Sequence, residues 1–176
     1  MEPSDYRVED RLRIAEVLYI YCRAIDRIDM VLLATAFEPD AMIDKGAGPF
    51  TVADFIADVS HRHPTVPRTS HMVNNHLIDF IGPDEAFVES WCLAVEQHPP
   101  HDAADATIDH VYRVRYADTF RKSAGVWRIA NRTFIIDHVM SVPSDPALLP
   151  PLDKRGQGIR GPGDRASVLR REALGQ

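Results

Sequence analysis

The chain has 176 residues, 45% of them hydrophobic, and a formal charge of -6. That is enough apolar material for one domain with its own core, and it argues against disorder along the whole length. The acidic balance, with no Lys/Arg run interleaved with aromatics in the body of the sequence, disfavours nucleic acid as a partner. No apolar run approaches the roughly 18 residues that span a bilayer, so no membrane partner is expected either.

The first ten residues, Met1 to Asp10, are too acidic for a signal peptide, and the expected location is cytoplasmic. From about residue 7 to 26, Val8, Leu12, Ala15, Leu18, Tyr19, Cys22 and Ile25 recur at spacings of three and four, which predicts an amphipathic helix. Asp29 is placed to cap a shorter second helix over Met30-Val31-Leu32-Leu33. Phe37-Glu38-Pro39-Asp40 then reads as a stop and a turn into a short strand at Ala41-Met42-Ile43-Asp44. Thr51, followed by Asp54, has the pattern of an N-cap with a first-turn acid, opening a third helix that carries Phe55, Ile56 and Val59. Pro64 and Pro67 close it, and His61 and His63 near its end read as exposed.

After residue 68 the hydrophobic period changes to two. Long strands are predicted over about 69–81, 85–97, 109–121 and 126–139, with Gly82-Pro83-Asp84 and Ser123-Ala124-Gly125 as turns. In the third of these, Tyr112, Val114, Tyr116 and Phe120 share one parity and Arg113, Arg115 and Arg121 the other, so one face packs and the other is wet. Helices followed by consecutive antiparallel strands give an α+β domain over 1–143. The segment 144–176 is rich in Pro and Gly and reads as an arm, draped on a neighbouring subunit or disordered, with a short helix near Arg165–Arg171.

The candidate chemistry lies in Tyr21, Asp26 and His71. A helix carboxylate that meets a strand imidazole holds it in one tautomer and stabilises its protonated form, which builds a general base from side chains alone. The bland alternative is a core histidine satisfied by a helix carboxylate in a domain that only binds. His98, His101, Asp102, Asp105, Asp109 and His110 fall in an irregular connection, which reads as a solvated loop or lid, so no metal site is expected. Cys22 and Cys92 lack a Cys-x-x-Cys spacing and read as buried free thiols.

Tyr-Cys-Arg-Ala-Ile-Asp, Ala-Phe-Glu-Pro-Asp-Ala, Thr-Ser-His-Met-Val-Asn-Asn, Arg-Tyr-Ala-Asp-Thr-Phe and Trp-Arg-Ile-Ala-Asn-Arg, in this order between about residues 7 and 140, resemble the SnoaL-like group of the nuclear transport factor 2-like superfamily. The resemblance implies a cone: a curved antiparallel sheet wrapped around the N-terminal helices, with a deep pocket between them. It implies that Asp26 and His71 match the Asp-His dyad of dehydratases and dehydrochlorinases in this superfamily, that Tyr21 stands where those enzymes carry a tyrosine or lysine, and that Arg132 matches a strand arginine that stabilises developing negative charge. Glu89, Glu96 and His98 are candidates for a further polar group from a middle strand. Tyr112, Tyr116, Trp91 and Phe55 are expected to form the substrate wall. The activity implied is a dehydratase or isomerase without a cofactor, acting on a hydrophobic polycyclic or aromatic molecule such as a steroid or polyketide, in a homotrimer or homodimer. A silent binding domain and the small subunit of a ring-hydroxylating oxygenase stay open.

Overall fold

The computed structural model describes residues 6–99, 107–145, 148 and 158–175. Helix α1 (Val8–Arg27) is followed by α2 (Met30–Thr35), β1 (Phe37–Asp44), β2 (Pro49–Thr51) and α3 (Val52–Arg62). Four long strands come next, β3 (Arg68–Phe80), β4 (Glu85–His98), β5 (Thr107–Ser123) and β6 (Val126–Ser144), and then a terminal helix α4 (Arg165–Leu174). The six strands form one curved, open sheet in the order β2-β1-β6-β5-β4-β3. Neighbours are antiparallel except β1, which runs parallel to β6. This is the α+β cone expected from the sequence.

Helix α1 forms as the spacing predicts, but its buried face is phased differently: Ile14, Val17, Leu18, Tyr21, Cys22 and Ile25 enter the core, while Val8, Leu12 and Tyr19 of the expected stripe are exposed. Each buried aliphatic side chain contributes about 1.5–3 kcal/mol by leaving water. The helix is anchored at its start by Asp10, whose carboxylate accepts from Trp127 Nε1 at 2.7 Å and Lys122 Nζ at 3.0 Å. It stops at Ile28, which sits in the left-handed region (φ 54°) while the amides of Ile28 and Asp29 return to the Ile25 and Ala24 carbonyls. A β-branched residue there costs about 1–3 kcal/mol, so the stop is imposed by its surroundings. Asp29 caps α2 by accepting from Leu32 N at 2.9 Å, and Thr51 caps α3 by accepting from Asp54 N at 3.1 Å, both as the sequence predicts. The parity read for β5 also holds, with Val114, Tyr116 and Phe120 buried against the helices.

Three further expectations are corrected. The strand predicted at 41–44 already starts at Phe37, and Pro39 lies exposed where the register with β6 shifts between Phe37 and Met42. A proline without an N–H is tolerated at such a break. In β3, alternation from His71 turns Val73, Asn75 and Leu77 inward unless a bulge shifts the parity. A bulge between Asn74 and Leu77, with Asn75 at φ 51°, instead reverses the parity, so Ile78 is buried and Leu77 is 60% exposed. His98, Asp109 and His110 belong to strands rather than to a loop, with Glu96 opposite His110 and the His98 and His110 rings 4.9 Å apart. His101, Asp102 and Asp105, and with them the suggested lid, lie outside the described residues. Among the described residues no group of three His, Cys, Asp or Glu side chains is gathered as a metal site requires, and no helix is long and apolar enough to cross a membrane. The end of the arm packs on its own chain: Asp164 caps α4, and Arg23 Nη2 donates to Ser167 Oγ at 3.2 Å.

Candidate active site

Asp26 occupies the last turn of α1, where the helix dipole disfavours a carboxylate. Three hydrogen bonds offset this. Oδ1 accepts from Thr69 Oγ1 at 2.8 Å and from His71 Nδ1 at 2.7 Å, and Oδ2 accepts from the His71 amide at 2.9 Å. Only 11% of the Asp26 side chain and 8% of the His71 side chain are exposed. Burial pushes the Asp26 carboxyl up, but the bonds and charge of His71 pull it further down, below the usual carboxylate value. For His71 burial disfavours the charged ring, yet the hydrogen bond to Asp26 and its charge prevail and the pKa is raised. A carboxylate only accepts, so Nδ1 carries a proton and Nε2 holds the free lone pair of the neutral ring.

His71 opens onto a cavity of about 140 Å³ between α1, α3 and the inner faces of β4, β5 and β6. Ile25, Phe55, Val59, Val114 and Phe134 make its apolar wall. Tyr21, Tyr112 and Tyr116 turn their rings toward it, and Lys45, Arg62 and Glu96 add charge. Five of the eight residues expected at the site, Tyr21, His71, Phe55, Tyr112 and Tyr116, therefore line one cavity, and Asp26 stands behind His71. Glu96 is the middle-strand acid that reaches it, whereas Glu89 faces outward to Arg115.

Two expected residues sit elsewhere. Trp91 is not part of the wall: it shares the outer parity of β4, is 38% exposed, and lies 5.8 Å from the Arg115 guanidinium. Arg132 is completely buried under the cavity rather than in it. Its Nε and Nη2 donate to the two oxygens of Asp118 at 2.8 and 2.6 Å, and its Cζ lies 4.1 Å from the Tyr21 ring centre and 4.0 Å from that of Tyr116. The guanidinium thus lies against the faces of the two phenols rather than against the cavity itself. Burial pushes the Tyr21 hydroxyl well above its ordinary value and the charge of Arg132 opposes the rise, so Tyr21 stays a protonated donor.

Sequence reasoning missed four residues. Thr69 was visible only as a neighbour of His71, and Asp118 only as one more β5 residue of inner parity. His63, read as exposed, is 4% exposed and lines the cavity. Arg160, from the arm, donates to His63 Nδ1 at 3.0 Å and to the carbonyls of Ile25, Asp26, His63 and Val66. Cys22 and Cys92 are buried thiols without a disulfide. A hydrogen bond with Cys22 draws the Cys92 thiol below its ordinary pKa against the opposing effect of burial, and the nearby His71 adds to this.

Known structures share this architecture. A Novosphingobium aromaticivorans protein named for scytalone dehydratase superposes with a TM-score of 0.68 at 22% identity, over 84% of this chain and 99% of its own. Hexachlorocyclohexane dehydrochlorinase LinA-type3 from Novosphingobium barchaimii gives 0.67 at 17% identity, over 82% and 97%. A Mycobacterium tuberculosis protein of unknown function gives 0.64 at 22%, over 99% of this chain and 92% of its own. No curated protein matches the sequence significantly. The profile of the SnoaL-like domain matches residues 6–133, a span that holds α1, the dyad and the residues lining the cavity other than Phe134 and Ile136. The chain therefore belongs to the SnoaL-like domain family and has the fold of the nuclear transport factor 2-like superfamily.

Proposed function

We propose that this protein is a cofactor-independent lyase or isomerase, in its most specific form a dehydratase of a hydrophobic, hydroxylated aromatic or polycyclic molecule. The observation that carries this reading is the hydrogen-bonded Asp26–His71 pair opening into an apolar cavity that also presents a phenol. Nε2 of His71 takes a proton from carbon beside a carbonyl, while Asp26 stabilises the imidazolium that forms. Tyr21 donates to the enolate oxygen or to the departing hydroxyl, with Arg132 beneath its ring favouring negative charge there. The carbon–oxygen bond breaks as the carbon–carbon double bond forms. The hydroxyl leaves as water with the proton that His71 took from carbon, passed on directly by the imidazolium or through Tyr21, so that both side chains return to their starting forms.

A cavity of about 140 Å³ is close to the roughly 150 Å³ that holds one benzene ring. The reacting ring is therefore enclosed and further rings of a steroid- or polyketide-like substrate project outside. The exposed apolar residues of the outer sheet face, Met72, Phe87 and Trp91, support a homodimer or homotrimer, which light scattering checks. The deciding experiment is a screen of hydroxylated aromatic, polyketide and steroid compounds for loss of water, with His71→Ala and Asp26→Ala run alongside. Turnover that both variants abolish supports the proposal. Binding of the same compounds by wild type without turnover moves the protein to the non-catalytic reading.

A further inference from the structure

We infer that His63 is a second functional histidine of the cavity, fixed by Arg160 in the neutral tautomer that carries its proton on Nε2, and that it donates a hydrogen bond to an oxygen of the bound ligand. The role in turnover rests on the reading of Asp26–His71 as the reaction centre; the donor role in binding does not.

His63 begins the turn that follows α3, between Arg62 and Pro64, and packs its ring into the wall near Val59 and Glu96. A guanidinium has five donors and no lone pair. The contact of Arg160 Nη2 with His63 Nδ1 at 3.0 Å therefore makes Nδ1 an acceptor, and the one proton of the neutral ring is on Nε2. Arg160 is not free to swing away, because Nη1 donates to the His63 and Val66 carbonyls at 2.7 and 2.8 Å and Nη2 and Nε donate to those of Ile25 and Asp26 at 2.8 and 3.1 Å. Among the described residues Nε2 of His63 meets no protein partner, and the ring lines the cavity.

The surroundings keep the ring uncharged. Burial is the largest influence, and Arg160, Arg62 and His71 add positive charge that outweighs the opposing Glu96, so the pKa falls to about 4. The two imidazoles of the cavity thus have opposite polarity. His71, whose Nδ1 donates to a carboxylate, offers a lone pair; His63, whose Nδ1 accepts from a guanidinium, offers a proton. A neutral imidazole of this kind polarises a carbonyl without surrendering its proton. The ligand class this selects is a ring that carries an acceptor oxygen, a ketone or hydroxyl, beside an acidic C–H.

The test reads the tautomer first and the ligand second. Long-range ¹H–¹⁵N spectra of the resting protein are expected to show His63 with a protonated Nε2 and a bare Nδ1, unchanged between pH 5 and 8. In Arg160→Ala the two tautomers mix and the ring titrates at higher pH. Binding is then compared for acetophenone and ethylbenzene, which differ in the ketone oxygen. Acetophenone is expected to perturb Nε2, and His63→Phe to weaken acetophenone by about 2- to 12-fold while ethylbenzene is unchanged, the size of one neutral hydrogen bond. His63→Gln, which keeps a donor, restores part of the difference. A proton found on Nδ1, a ring that charges above pH 6, or equal loss of both ligands in His63→Phe overturns the assignment. Because none of these readings needs turnover, they stand apart from the success or failure of the dehydratase proposal.

Discussion

Replacing Asp26 with Asn tests the base most sharply, because the hydrogen bonds around the carboxylate leave the amide a poor choice. Oδ2 faces the amide N–H of His71 at 2.9 Å, while Oδ1 faces Thr69 Oγ1 and His71 Nδ1. An amide has one acceptor oxygen and one NH2 donor. With the NH2 toward the His71 amide, two donors collide. The side chain therefore turns its oxygen to the backbone N–H and its NH2 to Nδ1, and His71 is forced to carry its proton on Nε2. A ring in that tautomer has no lone pair to offer substrate, and the loss in kcat is expected to be about 10³- to 10⁴-fold. The lost charge-assisted bonds cost about 1.5–3 kcal/mol of stability, less than a typical domain holds, so the variant folds. The assay is the initial rate of water loss from a substrate found in the screen, read with the His71 ¹⁵N shifts. In wild type kcat/KM rises with pH through the raised His71 pKa, because the base works only when neutral; in Asp26→Asn that pKa drops with the loss of the carboxylate. A variant that keeps kcat within 10-fold of wild type, with His71 protonated on Nε2, refutes the reasoning.

Tyr21→Phe keeps the ring packing against Phe37, Phe55 and Tyr116 and removes only the hydroxyl, so kcat is expected to fall about 10²-fold with KM little changed; steady-state kinetics that show only a KM effect remove Tyr21 from the chemistry. Arg132→Met strips Asp118 of both its bonds in a fully buried place and is expected to cost about 3–5 kcal/mol in urea unfolding, most of it regained in the double variant with Asp118→Leu. Stability against pH should peak near 6.5. Below that value the unfolded chain charges His63 while the native state keeps it neutral down to about 4, so stability falls as pH falls, by about 3 kcal/mol over the window if the full difference is expressed. Above 6.5 the native state holds the His71 proton that the unfolded chain releases, so this contribution is lost as pH rises through the raised value. His63→Phe is expected to flatten the acid limb alone in thermal unfolding across pH.

Much of this was written in local pattern. The existence of α1, the caps at Asp29 and Thr51, and the inner parity of Tyr116 and Phe120 each depend on near neighbours, and each is found in the fold, although the buried face of α1 includes Ile14, Val17 and Tyr21 and leaves Val8, Leu12 and Tyr19 exposed. The Asp26–His71 pair needed the family resemblance, since nothing local joins two residues 45 apart. The bulge at Asn75 was illegible because any residue before it fits alternation, and only the left-handed backbone angle breaks the count. Trp91 misled by its size: on β4 the inner face carries the small Ser90, Cys92 and Ala94, against which the helices pack, and the large ring is left on the outer face. His63 was hidden for another reason. A three-residue turn has no period to read, and the partner that fixes its tautomer lies 97 residues away.

The grip of Arg160 on carbonyls sets an asymmetric rule for sequence drift. Four of its five hydrogen bonds read backbone, which every amino acid supplies, so positions 25 and 66 are free to exchange any side chain that suits the core without loosening it. Position 160 has no such freedom, because lysine brings three donors on a single atom and cannot span four carbonyls and a ring nitrogen. Among descendants of this chain, the mark of a working cavity is thus expected to be the persistence of one arginine at position 160, within a stretch rich in proline and glycine.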